Sequence, residues 1–179
     1  EYDVAKSAFQ AIKLKEGDSV VGIEEEKKEV TLLLVTEKGM CLNADMSDIP
    51  VQGRIAGGVK AIQLNDGDAV LAAMQVSEDG EAVLITDKSN AKRIPVGGIE
   101  PMARYRKGFK IFDLKANTGS RIIFASYVTN PYTIVLDVDD EYLSQFDTED
   151  LPVQNRTNSG KPLVRGCTGL EKVYVYKTE

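Results

Sequence analysis

The sequence of this chain repeats with a period of fifty residues. Residues 11–14 (AIKL) return as residues 61–64 (AIQL), and residues 33–38 (LLVTEK) return as residues 83–88 (VLITDK). Matches at one offset in separate places are hard to obtain by chance. Internal repetition therefore constrains the fold before any single residue is interpreted.

A third copy follows with a small insertion. Residues 152–156 (PVQNR) lie 102 residues after residues 50–54 (PVQGR), so two residues have been added between the second and third copies. The tail from Gly160 to Tyr176 resembles the opening of another copy. We predict a single domain whose repeats occupy residues 9–58, 59–108 and 109–160, with part of a fourth at 161–179.

Each copy consists of strand-length apolar runs separated by turn residues such as NDGD at residues 65–68. β-branched and aromatic residues dominate the runs, and no segment keeps a helical period. The predicted strands are residues 20–23, 30–36 and 40–43 in the first copy, 59–64, 69–76, 82–86 and 91–96 in the second, and 121–128, 132–138 and 142–146 in the third. Four strands joined by hairpin turns in each repeat indicate an all-β array of blades that bury their faces against one another.

Two known propeller classes fit this pattern less well. Kelch propellers share the period, but the glycine pairs at residues 57–58 and 97–98 fall at different places in the repeat, and the chain has no Trp. WD40 propellers have a shorter period and a Trp-Asp signature.

Composition excludes several classes of function. The chain of 179 residues has no His, which removes His-dependent catalysis and His metal sites, so we expect neither catalysis nor a cofactor. Cys41 and Cys167 are far apart and are interpreted as reduced, partly buried thiols. No run approaches the roughly 20 apolar residues of a membrane helix, and the N-terminus lacks signal-peptide features. We therefore expect a cytoplasmic protein or a fragment of one.

The segments that join the repeats point to a family. Residues 52–59 (QGRIAGGV), which follow LVTEKG at 34–39 and lead into AIQL at 61–64, resemble the repeat in the C-terminal domain of the A subunits of bacterial type IIA topoisomerases. Those enzymes are DNA gyrase and topoisomerase IV. The resemblance covers residues 9 to 164 and implies a β-pinwheel, whose blades exchange a strand and whose basic outer edge carries DNA. It also implies a non-catalytic DNA-wrapping accessory domain, with double-stranded DNA and an ATP-dependent catalytic core in the same polypeptide as partners.

The chain departs from that family at its most basic loop. Gyrase carries Gln-Arg-Arg-Gly-Gly-Lys-Gly, whereas the corresponding heptads here are QGRIAGG at residues 52–58, MARYRKG at 102–108 and QNRTNSG at 154–160. All three keep Arg at the third place and Gly at the seventh, and only the second keeps the Lys. This pattern favours a topoisomerase IV type domain or a gyrase segment without its first blade, and predicts weaker DNA wrapping. The chain also contains no GxxxxGK[ST] phosphate loop.

Basic residues around these heptads are the candidate DNA contacts. A duplex bound without sequence readout needs Lys and Arg spaced along its phosphates, and such an edge is compatible with the net charge of −6 if charge is segregated. The predicted DNA-binding residues are Arg54, Lys60, Lys92, Arg93, Arg104, Arg106, Lys107, Lys110, Arg156, Lys161 and Arg165. The alternative for each Arg is a joint residue that caps carbonyl groups or pairs with a neighbouring carboxylate.

Three other features receive plainer interpretations. Tyr105 is predicted to be a packed aromatic of the joint, with contact to a sugar-phosphate edge as the weaker alternative. The acidic segment 24–29 and the run Asp137 to Glu141 are predicted to be solvated hairpin tips, since the latter lacks the Gly and Glu spacing of a calcium loop.

Two other functions remain open. The acidic first repeat suggests a propeller-like protein-interaction module that docks a basic partner or the parent enzyme's core. A carbohydrate-active propeller would need clustered aromatic residues or paired carboxylates, and the sequence offers neither clearly.

Overall fold

The structure, a computed structural model, describes residues 8–53, 56–139 and 141–176. Regular structure in that part of the chain consists of β-strands and three single-turn 3₁₀ helices, at Met46–Asp48, Val96–Gly98 and Thr148–Asp150. The all-β prediction is confirmed. The strands are β1 (Thr31–Thr36), β2 (Met40–Asp45), β3 (Val70–Val76), β4 (Glu81–Thr86), β5 (Asn90–Pro95), β6 (Phe109–Lys110), β7 (Ile122–Val128), β8 (Thr133–Val138), β9 (Tyr142–Asp147), β10 (Lys161–Pro162) and β11 (Leu170–Tyr176).

The strands form three antiparallel sheets that mix residues from different repeats. Their orders are β3-β1-β2-β6, β7-β4-β5-β10 and β11-β8-β9. Each sheet is built on the hairpin of one repeat and receives a long strand from the next repeat. The first two sheets also receive a short strand from the repeat after that. The expectation of four consecutive strands per blade is therefore wrong in its connectivity, and the strand exchange implied by the family resemblance is present.

Strand register repeats as faithfully as the sequence does. Leu33 of β1 lies opposite Asn43 of β2, and Val83 of β4 lies opposite Arg93 of β5. The pairing of β1 with β3 shifts register between Val35 and Thr36, and that of β4 with β7 shifts fifty residues later. The sequence period is thus a period of backbone geometry.

Alternating side chains divide each central strand between two cores. In β4, Ala82 and Leu84 pack in one core, shared with β1 and β3, while Val83 and Ile85 pack in another, shared with β8. All four are fully buried. The middle sheet therefore buries both faces against its neighbours, as a blade array requires.

The first repeat lacks its predicted opening strand. Residues 8–30 contain no strand, and residues 20–23 are exposed. The corresponding strand of the second repeat, β3, pairs with the hairpin of the repeat before it. No preceding hairpin exists among the described residues, so this segment has no ladder to join.

Both cysteines are free thiols, as predicted. Cys41 on β2 is fully buried, and desolvation raises its pKa to about 12. Cys167 is half-buried. Among the described residues, no helix has the length and apolar character needed to span a membrane.

Candidate nucleic-acid interface

Each sheet packs against a neighbouring sheet along one edge, which we call the convergent edge, and the segments that join the repeats lie at the opposite edge of the first two sheets. The long exchanged strands pack against one another, β3 against β7 and β7 against β11. The short strands β6 and β10 lie at the opposite edges of the first two sheets. We call residues 52–60 the first joint, residues 102–110 the second joint and residues 152–162 the third joint. The second and third joints therefore line the edges remote from the convergence.

Glycine ends each heptad because the backbone there is left-handed, and in the second and third heptads the glycine also lies beside a carbonyl group. Gly58, Gly108 and Gly160 have φ of 74°, 68° and 72°. A Cβ on Gly108 would lie 1.9 Å from the Cys41 carbonyl oxygen, and one on Gly160 would lie 2.9 Å from that of Ala91. A side chain at either place would block the short strand from reaching its sheet.

The second joint is clamped by the start of the second repeat. The amide of Tyr105 donates to the Ala61 carbonyl at 2.5 Å, and the amide of Gln63 donates to the Arg106 carbonyl at 2.9 Å. Ile62 forms a parallel bridge with Arg106. Residues 59–64, predicted as a full strand, provide only this short pairing.

Arg104, at the third place of its heptad, is largely occupied by backbone contacts. Its Nε donates to the Asp48 carbonyl at 2.8 Å and its Nη1 to the Lys60 carbonyl at 2.9 Å. The side chain ties the 3₁₀ turn after β2 to the first joint. This is the carbonyl-capping role that the sequence left as the alternative for each Arg.

Lys92 does not belong to an exposed interface. It is fully buried, and its Nζ donates to the carbonyls of Asn155, Arg156 and Asn158 at 2.9, 3.2 and 2.7 Å. The ammonium also lies 4.7 Å from the ring centroid of Phe112. Burial lowers the pKa of Lys92 to about 8. The predicted DNA contact is wrong here because the charge holds the third joint from beneath.

Arg93 is likewise engaged within the protein. It forms an ion pair with Glu81 at 2.7 Å and donates to the carbonyls of Glu149 and Leu151. Its side chain is 19% exposed. Arg93 is therefore not one of the exposed cations of the joints.

Arg156 occupies the same heptad place as Arg104 but is exposed. Its guanidinium lies 4.9 Å from the ring centroid of Phe109 in the second joint. This stacking brings the second and third joints together. Arg54, the first-joint counterpart, lies outside the described residues.

The remaining predicted contacts are exposed cations. Among the described residues, only Lys110 of this set forms an ion pair, with Asp113 at 3.7 Å. Their positions follow the joints and the segments next to them. The set comprises Lys60, Arg106, Lys107, Lys110, Arg156, Lys161 and Arg165.

The acidic segment 24–29 lies at the other edge. The amide of Lys27 donates to the Gln75 side chain on β3 at 2.7 Å, and Gln75 in turn donates to Glu24 at 3.0 Å. The predicted hairpin tip is therefore wrong, because the segment runs beside β3 without forming a strand. Opposite charges thus occupy opposite edges of the first sheet.

The other acidic run caps a loop. Asp139 follows β8, and its carboxylate accepts hydrogen bonds from the amides of Thr168 and Gly169 and from the Thr168 hydroxyl. These bonds hold the pKa of Asp139 below its usual range. Within the described ranges, no group of three metal-ligating side chains is arranged to hold an ion.

Tyr105 differs from its prediction as a packed aromatic. It is 44% exposed and has φ of 60°. Its position between Arg104 and Arg106 was the available sequence signal, but the backbone conformation that turns it outward depends on the clamp by the second repeat.

Solved structures with the same architecture come from topoisomerases. A crystal structure of the C-terminal domain of DNA topoisomerase IV superimposes with a TM-score of 0.83 at 26% identity, over 92% of this chain and 52% of that one. The DNA gyrase A C-terminal domain gives a TM-score of 0.78 at 19% identity, over 93% of this chain and 57% of that one. The E. coli ParC C-terminal domain gives 0.71 at 17% identity, over 94% and 69%. The chain thus spans little more than half the length of the first two domains, and the latter two likenesses are of fold alone.

Sequence comparison agrees with the superpositions. No curated protein gave a significant match to the chain. The family described as "DNA gyrase C-terminal domain, beta-propeller" matches residues 10–24, 31–77, 80–128 and 141–171. These segments include the hairpins of the first and second repeats, β9 of the third hairpin, and both the second and third joints. Because the match covers most of its length, the chain belongs to the family of DNA gyrase C-terminal domains.

Proposed function

We propose that this domain binds duplex DNA along the edge formed by its joints and guides it for an ATP-dependent type II topoisomerase, without catalysis of its own. The observation that carries the proposal is the set of seven exposed cations along the joints, six of which form no ion pair with a described carboxylate. A phosphate can replace water at such a cation without first breaking an ion pair. The catalytic core, in the same polypeptide, and a cytoplasmic location belong to the same proposal.

Charge segregation supports this orientation of the duplex. The acidic segment 24–29 lies beside β3, away from the short strands. With a screening length of roughly 10 Å at 0.1 M salt, repulsion from that segment acts weakly at the opposite edge. A net charge of −6 therefore does not prevent binding at the joints.

Salt titration of duplex binding tests the proposal. Seven phosphate contacts set an upper limit of about −6 for the slope of log K against log salt, and we expect a slope of about −3 to −6. The measurement is a fluorescence-anisotropy titration of a long duplex at several salt concentrations. Absence of binding at about 50 mM salt, where phosphate contacts are strong, would overturn the proposal.

Matched charge reversals locate the edge. Lys107 lies in the second joint and Lys172 lies on β11 at the convergent edge, and both are exposed. We expect Lys107→Glu to weaken binding by about tenfold and Lys172→Glu by less than about twofold. Equal effects would mean that the joints are not the binding edge.

A second candidate function is docking of a basic protein partner. It is favoured by Glu25, Glu26 and Glu29, which are exposed and form no ion pair with any described residue. A pull-down of the isolated topoisomerase core that is abolished by reversing these charges, and that persists in the presence of nuclease, would support it. Loss of the complex on nuclease treatment would instead assign the contact to DNA.

A further inference from the structure

Tyr105 combines exposure with an unfavourable backbone conformation. Its φ of 60° is in the left-handed region, which side chains other than Gly, Asn and Asp rarely adopt. Its neighbours in sequence, Arg104 and Arg106, are both cationic, and its side chain is 44% exposed. A large aromatic residue is thus turned outward in the most basic part of the chain.

Pairing with residues 61–63, at the start of the same repeat, maintains this conformation. The Tyr105 amide donates to Ala61, and Arg106 bridges Ile62 in parallel register. Backbone strain that the surrounding structure enforces often occurs at functional sites. The third joint has Thr157 at the equivalent heptad place, so an aromatic ring is not needed for a joint to form.

A cation also lies beside the ring. The Lys60 ammonium is 5.1 Å from the ring centroid and 3.5 Å from the hydroxyl oxygen. The long hydroxyl contact leaves the phenol proton without a short acceptor there, since an ammonium can only donate. Lys60 and Tyr105 therefore form a paired donor site for an anion.

We propose that Tyr105 contacts the sugar-phosphate backbone of bound duplex DNA, with its hydroxyl donating to a phosphate oxygen and its ring lying against a deoxyribose. Tyr is among the side chains that contact phosphates in protein–DNA complexes. This inference rests on the proposed function and adds a neutral contact to its charged ones. A neutral contact releases no counterion, so it changes affinity without changing the salt slope.

Two substitutions separate the hydroxyl from the ring. We expect Tyr105→Phe to weaken duplex binding by about threefold, and Tyr105→Asn to weaken it by about tenfold, both with the wild-type salt slope. Asn tolerates the left-handed conformation, so the melting temperature of Tyr105→Asn should not fall. Tyr174→Phe is the matched control, since Tyr174 on β11 is 49% exposed, and its affinity should equal that of the wild type.

A tryptophan reporter gives a second measurement. The chain has no Trp, so Tyr105→Trp and Tyr174→Trp each carry one emitter. Adding duplex should shift the emission of Trp at position 105 and reduce its quenching by acrylamide, while the emission at position 174 stays constant.

The results test the Tyr105 contact separately from the proposed binding of duplex DNA. If the wild type binds duplex and Lys107→Glu weakens binding, while both Tyr105 variants bind as tightly as the wild type, the Tyr105 contact is wrong and the basic edge stands. If the wild type does not bind duplex, the proposed function is wrong and the Tyr105 contact with it. A smaller salt slope for Tyr105→Phe would also overturn the contact, because it would mean that the substitution had removed a contact between a cation and a phosphate.

Discussion

The second and third joints share a heptad pattern but use its charges differently. In the second joint, Arg104 is tied to the carbonyls of Asp48 and Lys60. In the third, Arg156 is exposed over Phe109, and a buried lysine, Lys92, holds the loop carbonyls. The same residue type at the same place is thus structural in one repeat and available in the other.

The difference arises from what lies under each joint. Leu42 of β2 is the counterpart of Lys92, fifty residues earlier, and both are fully buried. The Leu supplies only apolar packing, so the second joint is held by Arg104 and by its pairing with residues 61–63. The Lys reaches three carbonyls, so the third joint is held without its own Arg. The repeats therefore share a backbone path, and the residue packed beneath each joint determines which side chain holds that joint in place.

The largest loss of stability is expected from a substitution at the glycine that ends the second heptad, where the backbone path is shared with the other repeats. Gly108→Ala places a Cβ 1.9 Å from the Cys41 carbonyl oxygen at a positive φ, and we expect it to lower the unfolding free energy by about 3–5 kcal/mol. Gly58→Ala is the matched control, because it has a φ of 74° and no heavy atom within 4 Å of its Cβ, and should cost about 1 kcal/mol. Urea denaturation measures both. Equal losses would mean that φ alone, and not the close approach, requires glycine.

The next prediction concerns the pH dependence of the unfolding free energy that arises from Lys92, the buried lysine beneath the third joint. The pKa of Lys92 is about 8 in the folded state, against an ordinary value of 10.5. Between these values the unfolded chain binds more protons, so the unfolding free energy rises with pH, by about 1–3 kcal/mol. Lys92→Met should lack this rise in urea denaturation between about pH 8 and 10.5.

A second buried group, the Cys41 thiol, changes the unfolding free energy in the opposite direction, and its contribution has to be subtracted. The raised pKa of Cys41 removes stability above its ordinary value of 9.0. Because Cys41 is present in both the wild type and Lys92→Met, the difference between their curves reports mainly Lys92. Parallel curves would show that the Lys92 charge is not desolvated in the folded protein.

A smaller effect compares the two third-place arginines directly. Arg104→Met removes two hydrogen bonds to carbonyls and should lower the unfolding free energy by about 1–2 kcal/mol. Arg156→Met should lower it by about 0.5 kcal/mol, since its guanidinium contact is with the ring of Phe109 at an exposed position. Thermal denaturation measures both. The reverse order would make Arg156 the structural residue and Arg104 the available one.

The smallest stability effect belongs to an exposed cation. Lys110 pairs with Asp113 at 3.7 Å and its side chain is 66% exposed, so Lys110→Met should change the unfolding free energy by less than about 0.5 kcal/mol. The same change should reduce the salt slope of duplex binding by about 1. A large stability loss would place Lys110 among the structural lysines beside Lys92.

Much of the fold was predictable because the repeat records backbone geometry. The hairpins β1-β2, β4-β5 and β8-β9 were anticipated from apolar runs and turn residues. The exchange of strands between repeats was not derivable from those runs, since local pattern does not say which hairpin a strand joins. For the same reason residues 20–23 have strand composition but no ladder.

The candidate interface was predictable as a region and not residue by residue. The exposed cations of the joints were found by composition, whereas Lys92 and Arg93 were assigned to the same surface although they face carbonyls and Glu81. Alternation within β5 places neighbouring residues on opposite faces, and only packing decides that both faces are covered. The exposure of Tyr105 likewise depends on a pairing with residues far away in sequence.

The sequence by itself determined the period, the all-β architecture and the glycine that closes each heptad, because these depend on local backbone conformation repeated along the chain. The tertiary structure decided which charges face solvent. Strand exchange brings distant carbonyl groups against Lys92 and Arg104, and a cation whose donors are taken up by carbonyls joins distant segments of the chain and is withdrawn from any partner.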